Sequence, residues 1–123
     1  MVPGIIAVVD DDEAIRVALR SLLRSMGHEV RLFADAFSFL AEATLRPPDC
    51  VLTDIQMPGM NGLDLQREIR RTMPGLPVIV ITAFPEEAIR RQAMADGALC
   101  FLSKPFETAA ILHWLAEALG ERK

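Results

Sequence analysis

Hydrophobic and polar positions along the chain alternate between two kinds of segment. Short apolar runs rich in β-branched residues are too short to be helices and predict buried strands. These runs are 5–9, 28–33, 50–53, 77–81 and 99–102. The stretches between them carry apolar residues three or four positions apart, which is typical of amphipathic helices. The first two helices are expected at about 12–26 and 35–44, and the last at 107–119. The third is expected to follow the turn at 58–62 and run through 69, and the fourth to run from 85 to a stop at 97.

Turn and cap residues punctuate this pattern at the expected places. Gly27 is suited to the C-terminal end of the first helix, and Asp35 can cap the second. Pro47-Pro48 breaks the chain before the third strand, and Pro85 suits the first turn of the fourth helix. The boundaries of the elements therefore follow from local chemistry.

The count is five strands and five helices in strict alternation, which predicts an α/β fold. Parallel neighbouring strands need crossover connections, and helices provide them on both faces of the sheet. The strands are continuous apolar runs rather than alternating ones, as expected when both faces are covered. We expect a doubly wound parallel sheet forming a single domain over 1–123, with no output domain in this chain.

Composition and charge argue against some classes of function, such as binding of nucleic acid or of a membrane. The chain has 123 residues, of which 51% are hydrophobic and 24% charged, as in ordinary globular domains. Its formal charge of −4 argues against direct binding of nucleic acid. No apolar segment approaches the roughly 20 residues that cross a bilayer, so no membrane partner is expected. Cys50 and Cys100 sit in apolar runs without metal-binding spacing and are interpreted as buried, reduced thiols of a cytoplasmic protein.

Polar residues of the types that bind metals or take part in catalysis fall at the ends of four strands. Asp10-Asp11-Asp12 follows the first strand, Asp54 the third, Thr82 ends the fourth, and Ser103-Lys104-Pro105 follows the fifth. In an open parallel sheet, ligands bind outside the carboxyl ends of the strands. These side chains are therefore expected to share one rim.

Carboxylates gathered at one rim indicate a cation site. Acidic groups a few ångströms apart repel one another unless one takes up a proton or a cation joins them. An all-oxygen cluster suits a hard ion, and Mg²⁺ commonly shares such sites with phosphate. A carboxylate can also attack phosphorus to give an aspartyl phosphate. Lys104 and the metal would supply positive charge, and Thr82 a hydroxyl donor, to the phosphoryl oxygens.

Each of these residues also has an ordinary structural interpretation. Asp12 is best explained as a helix cap. Taken singly, Thr82 would be a strand-end residue and Lys104 a solvated surface lysine. Asp54 is harder to explain in this way, because it follows a buried strand without an obvious helix to cap. The joint placement of carboxylates, a hydroxyl and an ammonium at the ends of four strands favours a phosphoryl site.

The order of these motifs resembles the receiver domains of bacterial two-component response regulators. The resemblance covers essentially the whole chain and rests on four strings at strand ends: Val8-Val9-Asp10-Asp11, Val51-Leu52-Thr53-Asp54-Ile55-Gln56-Met57-Pro58, Ile81-Thr82-Ala83 and Lys104-Pro105-Phe106. It implies a flavodoxin-like sheet with strand order 2-1-3-4-5. It also implies a phosphorelay signal receiver rather than an enzyme with turnover.

The resemblance assigns roles to the acidic residues. Asp54 would be the phospho-acceptor. Asp11 would bind Mg²⁺ directly together with Asp54, and Asp10 would act through water, with Mn²⁺ able to substitute for Mg²⁺. Gln56 would contribute its backbone carbonyl to the metal.

The resemblance also assigns the residues that respond to phosphorylation. Thr82 would move toward the phosphoryl group, Lys104 would pair with it, and Phe101 would be the aromatic switch residue. The Lys104-Pro105 peptide bond is a candidate for the cis form. Phe84, two residues beyond Thr82, is apolar and cannot orient an attacking water, so slow-to-moderate self-dephosphorylation is expected.

The implied partners lie outside the chain. A sensor histidine kinase or phosphotransfer protein would donate the phosphoryl group, docking around Ala14, Ile15 and Ala18. The surface formed by the fourth helix, fifth strand and fifth helix would carry the output, and a homodimer through it is a further expectation.

Three alternatives use parts of the same pattern. A haloacid-dehalogenase-like phosphatase also needs an Asp nucleophile, and Asp10-x-Asp12 superficially fits, but Glu13-Ala14 and the lack of a late acidic pair do not. A flavin- or nucleotide-binding module would bring its phosphate against three consecutive aspartates, which would repel it. A receiver-shaped scaffold that is never phosphorylated is disfavoured because every part of the site is present.

Overall fold

The computed structural model describes residues 3–120, which form ten alternating strands and helices. In chain order these are β1 (Ile5–Val9), α1 (Glu13–Ser25), β2 (Glu29–Phe33), α2 (Ala36–Ala43), β3 (Cys50–Thr53), α3 (Gly62–Thr72), β4 (Val78–Thr82), α4 (Glu87–Ala95), β5 (Cys100–Ser103) and α5 (Thr108–Ala118). The predicted alternation of five strands and five helices is confirmed.

All five strands are parallel, and their order across the sheet is β2-β1-β3-β4-β5. The doubly wound, flavodoxin-like arrangement expected from the sequence is therefore confirmed. Because β1 lies between β2 and β3, the chain leaves it toward one edge and later returns to its other side. Val9, the last residue of β1, is in register with Phe33 and with Thr53. The residues that follow β1 and β3 therefore emerge side by side.

The core consists of two apolar layers, one on each face of the sheet. Alternate strand residues point to opposite faces, so that Ala7 and Val9 join one layer while Ile6 and Val8 join the other. Helices α2, α3 and α4 cover the first face, and α1 and α5 cover the second. The central strands are buried on both sides, which is why they are continuous apolar runs.

Two predicted helix boundaries were wrong. The fourth helix begins at Glu87, after Pro85, because Phe84 and Glu86 are held in a turn: Phe84 N–H donates to Thr82 Oγ1 and Glu86 N–H to the Phe84 carbonyl. The third helix continues past Ile69 to Thr72. Its last turn is polar but stabilised locally, since Thr72 Oγ1 donates to the Glu68 carbonyl at 2.8 Å.

The helix caps follow the expected chemistry. Asp12 accepts a hydrogen bond from Ala14 N–H, and Asp35 accepts one from Ser38 N–H. Gly27 has a positive φ of 92° directly after the C-cap of α1, and such a conformation favours glycine. Across residues 3–120, no helix is long and apolar enough to cross a membrane.

Candidate functional site

Three carboxylates meet at the carboxyl edge of the sheet. Asp10 and Asp11 follow β1, Asp54 follows β3, and Asp54 N–H donates to the Val9 carbonyl at 2.9 Å across the two strands. One carboxylate oxygen from each of the three residues lies within 4.8 Å of the others. Asp10 and Asp54 are 3% and 6% exposed, whereas Asp11 is exposed to solvent. The cluster is therefore open on one side and closed on the other.

The backbone after β1 is held in a tight local arrangement. Asp10 N–H continues the sheet by donating to the Phe33 carbonyl at 3.0 Å. Asp12 N–H then donates to Asp10 Oδ1 at 2.9 Å, a turn that Asp side chains favour. The carboxylate of Asp12 points instead to the first turn of α1. The interpretation of Asp12 as a cap, outside the acidic cluster, is confirmed.

Lys104 brings one positive charge into the cluster. Its Nζ lies 2.9 Å from Asp10 Oδ2 and 3.6 Å from Asp54 Oδ2. Lys104 N–H donates to the Thr82 carbonyl at 2.8 Å, and the Lys104–Pro105 peptide bond is cis, as expected from the sequence. Burial opposes the charged form of Lys104, but the hydrogen bond and charge of Asp10, with that of Asp54, outweigh burial and raise its pKa. The ammonium is therefore charged at neutral pH.

The carboxyl group of Asp54 is under electrostatic strain. Burial raises its pKa above the ordinary value, and the nearby charge of Asp10 raises it further. The Lys104 ammonium and the backbone amides of Ile55 and Gln56 act in the opposite direction without cancelling the effect. Ile55 N–H donates to Asp54 Oδ1 at 2.8 Å, which fixes one carboxylate oxygen and leaves Oδ2 on the Lys104 side. A further cation would relieve the remaining repulsion.

Thr82 lies at the end of β4, fully buried, on the strand next to β3. Its Oγ1 accepts a hydrogen bond from Phe84 N–H at 3.0 Å. Phe101 lies one strand further, in register with Val80, and packs half-buried against the core layer under α3 and α4. The Phe84 side chain is 60% exposed.

The structure brings together most of the residues singled out in the sequence. Asp10, Asp11, Asp54 and Lys104 form one constellation, and Thr82 is connected to it through the backbone of Lys104. Gln56 follows two residues after Asp54 with its side chain exposed, and Phe101 belongs to the core beside the site.

Gly62 is a residue of the site that the sequence reasoning assigned only to a turn. A Cβ atom at this position would lie 2.1 Å from the backbone oxygen of Asp54 and 2.8 Å from Ile55 Cα. Gly62 N–H donates to the Ile55 carbonyl at 3.0 Å, so α3 begins in direct contact with the backbone that carries Asp54. The Asn61-Gly62 pair was the only local signal, and it indicates a turn equally well.

Arg16 is a second residue that the sequence reasoning missed. From the first turns of α1, its Nη1 donates to the backbone carbonyl of Asp10 at 2.7 Å. The stripe of apolar residues on α1 predicts which face is buried, but it does not indicate that a polar neighbour reaches back to the strand end.

This arrangement suits a small, hard, oxygen-seeking ligand. Three carboxylates lie together, and the Lys104 ammonium pairs with two of them, Asp10 and Asp54. The cluster contains neither His nor Cys, which favours Mg²⁺ over softer metals. A buried carboxylate beside a lysine and a hydroxyl is also a suitable nucleophile for a phosphoryl group whose charge these groups can neutralise.

Comparison with known proteins agrees with this geometry. The family model of the response regulator receiver domain matches residues 6–116. The transcriptional regulatory protein FixJ of Azorhizobium caulinodans is 38% identical over 113 residues, covering 92% of this chain and 54% of FixJ. The DNA-binding transcriptional regulator NtrC of Salmonella typhimurium is 40% identical over 104 residues, covering 85% of this chain and 22% of NtrC. This chain thus spans about half the length of FixJ and less of NtrC.

Solved structures show the same fold. A CheY-like response regulator receiver domain protein from Methanospirillum hungatei superimposes with a TM-score of 0.91 at 28% identity, covering 98% of this chain and 96% of that one. The beryllofluoride-activated NtrC4 receiver domain dimer gives a TM-score of 0.91 at 26% identity, covering 97% and 98% of the two chains.

Proposed function

The chain belongs to the response regulator receiver domain family, and from this premise we propose that Asp54 accepts a phosphoryl group as the input of a signal. The observation that carries the proposal is the cluster of Asp10, Asp11 and Asp54, in which Asp10 and Asp54 pair with a charged Lys104. Residues 1–123 would act as one receiver domain in a cytoplasmic protein. The phosphoryl donor would be a sensor histidine kinase or a phosphotransfer protein.

The donor atoms of the acidic cluster fit Mg²⁺, with Mn²⁺ able to substitute. Asp11, Asp54 and the backbone carbonyl of Gln56 would hold the ion. Asp10 would act through water, because Asp12 N–H and Lys104 Nζ already occupy both of its carboxylate oxygens. When bound, the ion supplies positive charge that offsets the repulsion between carboxylates and phosphoryl oxygens.

The reaction follows from the nucleophile and its neighbours. An oxygen of Asp54 forms a bond to phosphorus while the bond from phosphorus to the donor nitrogen or oxygen breaks, and the donor keeps the electron pair. Lys104 Nζ, 3.6 Å from Asp54 Oδ2, would pair with a phosphoryl oxygen. Thr82 would donate its hydroxyl hydrogen to another phosphoryl oxygen. Its own oxygen accepts from Phe84 N–H, and this contact does not use the hydroxyl hydrogen.

Phosphorylation would act as a switch rather than as a step of a turnover. Movement of Thr82 toward the phosphoryl group would free space that Phe101, half-buried on the next strand, can enter. This would shift the population between two conformations of the surface formed by α4, β5 and α5. That surface would regulate an output domain or partner. The charge of −4 supports a protein partner rather than nucleic acid for this chain.

Mass spectrometry after incubation with acetyl phosphate and MgCl₂ tests the central claim. We expect one phosphate adduct on the wild type and none on Asp54→Asn. Asp35→Asn is the matched control, because Asn also caps helices and the position is the N-cap of α2, outside the acidic cluster. A wild type without adduct would contradict the proposal. Hydrolysis of p-nitrophenyl phosphate by the Asp54→Asn variant would instead indicate the phosphatase alternative.

Self-dephosphorylation is expected to be slow to moderate. The two side chains flanking the site, Gln56 and Phe84, both point to solvent, and an apolar phenyl ring cannot orient a water for attack. Decay of the acyl phosphate can be followed by mass spectrometry, with Phe84→Glu as the comparison that offers a carboxylate to water and is expected to decay faster. A wild-type half-life of seconds would show this prediction to be wrong.

A homodimer through α4, β5 and α5 is part of the proposal. The NtrC4 receiver structure is described as a beryllofluoride-activated dimer and shares this fold. Sedimentation with and without beryllofluoride tests whether this chain does the same. A mass that doubles only with beryllofluoride supports the dimer, and an unchanged monomer contradicts it.

A further inference from the structure

The peptide segment that carries Asp11 is held by three hydrogen bonds. Two are local to the strand end: Asp10 N–H donates to the Phe33 carbonyl and Asp12 N–H to Asp10 Oδ1. The third comes from the side chain of Arg16 on α1, whose Nη1 lies 2.7 Å from the Asp10 carbonyl oxygen. That carbonyl belongs to the peptide unit joining Asp10 to Asp11, so Arg16 holds the unit directly.

Asp11 depends on this backbone for its orientation. Within residues 3–120, its carboxylate makes no hydrogen bond or ion pair, unlike those of Asp10 and Asp54. It is also exposed, so no packing restrains it. The peptide units on either side of Asp11 therefore set the direction of its Cα–Cβ bond, and with it the region that the carboxylate can reach.

Arg16 is an unexpected neighbour for a cation site if it has no positioning role. Across the described part of the chain, its guanidinium has no carboxylate within 4.0 Å and donates instead to a neutral carbonyl. Its positive charge near the acidic cluster repels an incoming Mg²⁺. On electrostatics alone, removing this charge would strengthen Mg²⁺ binding.

We infer that Arg16 is a positioning residue: by holding the Asp10 carbonyl, it aims the Asp11 carboxylate at the metal position beside Asp54. This inference rests on the proposed function and adds to it a residue outside the acidic cluster. Residues that orient metal ligands commonly change metal affinity by tenfold or more when they are replaced. The orienting effect and the charge effect of Arg16 have opposite signs, so a single substitution separates them.

The test is a titration with MgCl₂ followed by the amide resonances of Asp11 and Asp54 in NMR spectra. Arg16→Met keeps the unbranched stem but loses both charge and donor, and we expect its Mg²⁺ affinity to fall roughly tenfold. Arg20→Met is the matched control: it removes the same charge one turn further along α1, where no hydrogen bond from Arg20 is present in residues 3–120. Its affinity is expected to stay equal or rise slightly.

Conservative replacement and kinetics give a second readout. Arg16→Lys keeps the charge and a donor, so its Mg²⁺ affinity should fall between those of the wild type and Arg16→Met. With acetyl phosphate, the Mg²⁺ concentration for half-maximal phosphorylation of Arg16→Met should rise roughly tenfold, as for binding. Its rate at saturating Mg²⁺ should remain close to that of the wild type. A merely damaged site would instead raise the half-maximal Mg²⁺ concentration and lower the rate at saturating Mg²⁺ as well. All variants are measured well below their Tm.

The outcomes separate this inference from the proposed function. Equal or tighter Mg²⁺ binding by Arg16→Met than by Arg20→Met would overturn the positioning role while leaving phosphorylation of Asp54 intact. A wild type that binds Mg²⁺ but takes no phosphate would overturn the proposed function, and the titration would still decide the role of Arg16.

Discussion

Asp54, the proposed phospho-acceptor, lowers the stability of the folded chain through its own charge. Its carboxylate lies beneath the surface beside Asp10, and burial followed by that neighbouring charge raises its pKa. A raised carboxyl pKa means that the ionised form is less favourable in the folded chain than in the unfolded chain. Above the folded pKa, the charge of Asp54 therefore lowers the free energy of unfolding, and this penalty decreases as the pH falls from the folded toward the unfolded pKa.

Replacing Asp54 by Asn should accordingly stabilise the metal-free protein at pH 7. We expect the Tm to rise, by about 4 °C for each 1 kcal/mol gained in a domain of this size. Differential scanning calorimetry in EDTA measures the shift. Asp35→Asn makes the same chemical change where hydrogen bonds from Ser38 lower the carboxyl pKa, so its Tm should not rise. A lower Tm for Asp54→Asn would contradict this account.

Gly62 has a different constraint, because its site leaves no room for a side chain. A Cβ there would approach the Asp54 carbonyl oxygen to 2.1 Å, and backbone atoms cannot move aside as a flexible side chain can. Gly62→Ala is expected to lower the free energy of unfolding by about 2 kcal/mol or more. It should also slow phosphorylation, since the backbone carrying Asp54 must shift.

The neighbouring cap provides the comparison for Gly62→Ala. Asn61 accepts a hydrogen bond from Asp64 N–H at the start of α3, and Asn61→Ala should lose about 1 kcal/mol without moving Asp54. Urea denaturation and the rate of acetyl phosphate labelling measure both properties. If Asn61→Ala slows labelling as strongly as Gly62→Ala, weakening of α3 rather than displacement of Asp54 is the cause.

At the scale of elements, two polar contacts connect α3 with the C-terminal end of α4. Gln66 Nε2 donates to the Ala93 carbonyl at 2.8 Å, and Arg67 Nε lies 3.1 Å from Asp96 Oδ2. The first contact is buried, and Gln66 Oε1 is a buried acceptor without a hydrogen-bond partner in the described structure. The N-terminal end of α4 lacks a side-chain cap from Glu86. Helix α4 is therefore held by more polar contacts at its C-terminal end than at its N-terminal end.

The unpaired acceptor of Gln66 leads to a stability prediction. Gln66→Met loses one hydrogen bond but also removes an oxygen that is buried without a partner, so the free energy of unfolding should change by less than about 1 kcal/mol. Gln66→Ala leaves a cavity and should lose about 2 kcal/mol or more. Urea denaturation compares the two variants. A loss in Gln66→Met as large as in Gln66→Ala would mean that the contact with Ala93 dominates.

At the scale of the whole molecule, burial on both faces of the sheet controls the chemistry of the thiols. Cys50 on β3 and Cys100 on β5 belong to the core layer beneath α1 and α5, and both are free. Burial raises the pKa of each thiol to about 12. At pH 8 only about one thiol in ten thousand would then be ionised, whereas the thiolate is the reactive form.

Alkylation of the folded protein should therefore be slow at both positions. With iodoacetamide at pH 8, we expect labelling at least about a hundredfold slower than in 6 M guanidinium chloride, because reaction requires opening of the core. Intact-mass spectrometry counts the adducts over time, and the unfolded control should gain two. Rapid labelling of a single cysteine in the folded protein would show that one thiol is accessible.

Much of this architecture could be predicted from local sequence. The alternation of short apolar runs and amphipathic stretches depends on neighbouring residues, and so do caps such as Asp12 and Asp35. Boundaries were less predictable where a later contact decides them: Pro85 lies outside α4 because Phe84 and Glu86 form a turn with Thr82 and each other. The rim of acidic and basic residues was predictable because parallel strands end at one edge.

The sequence by itself determined which chemical groups reach the rim, since the residue following each buried strand is set by the chain alone. Only the tertiary structure decided how those groups meet: the 3.6 Å between Lys104 Nζ and Asp54 Oδ2 joins residues 50 positions apart. The same holds for the approach of α3 to Asp54 at Gly62 and for the reach of Arg16 to the Asp10 carbonyl. Such contacts depend on how helices pack on the sheet, and local periodicity does not specify these distances.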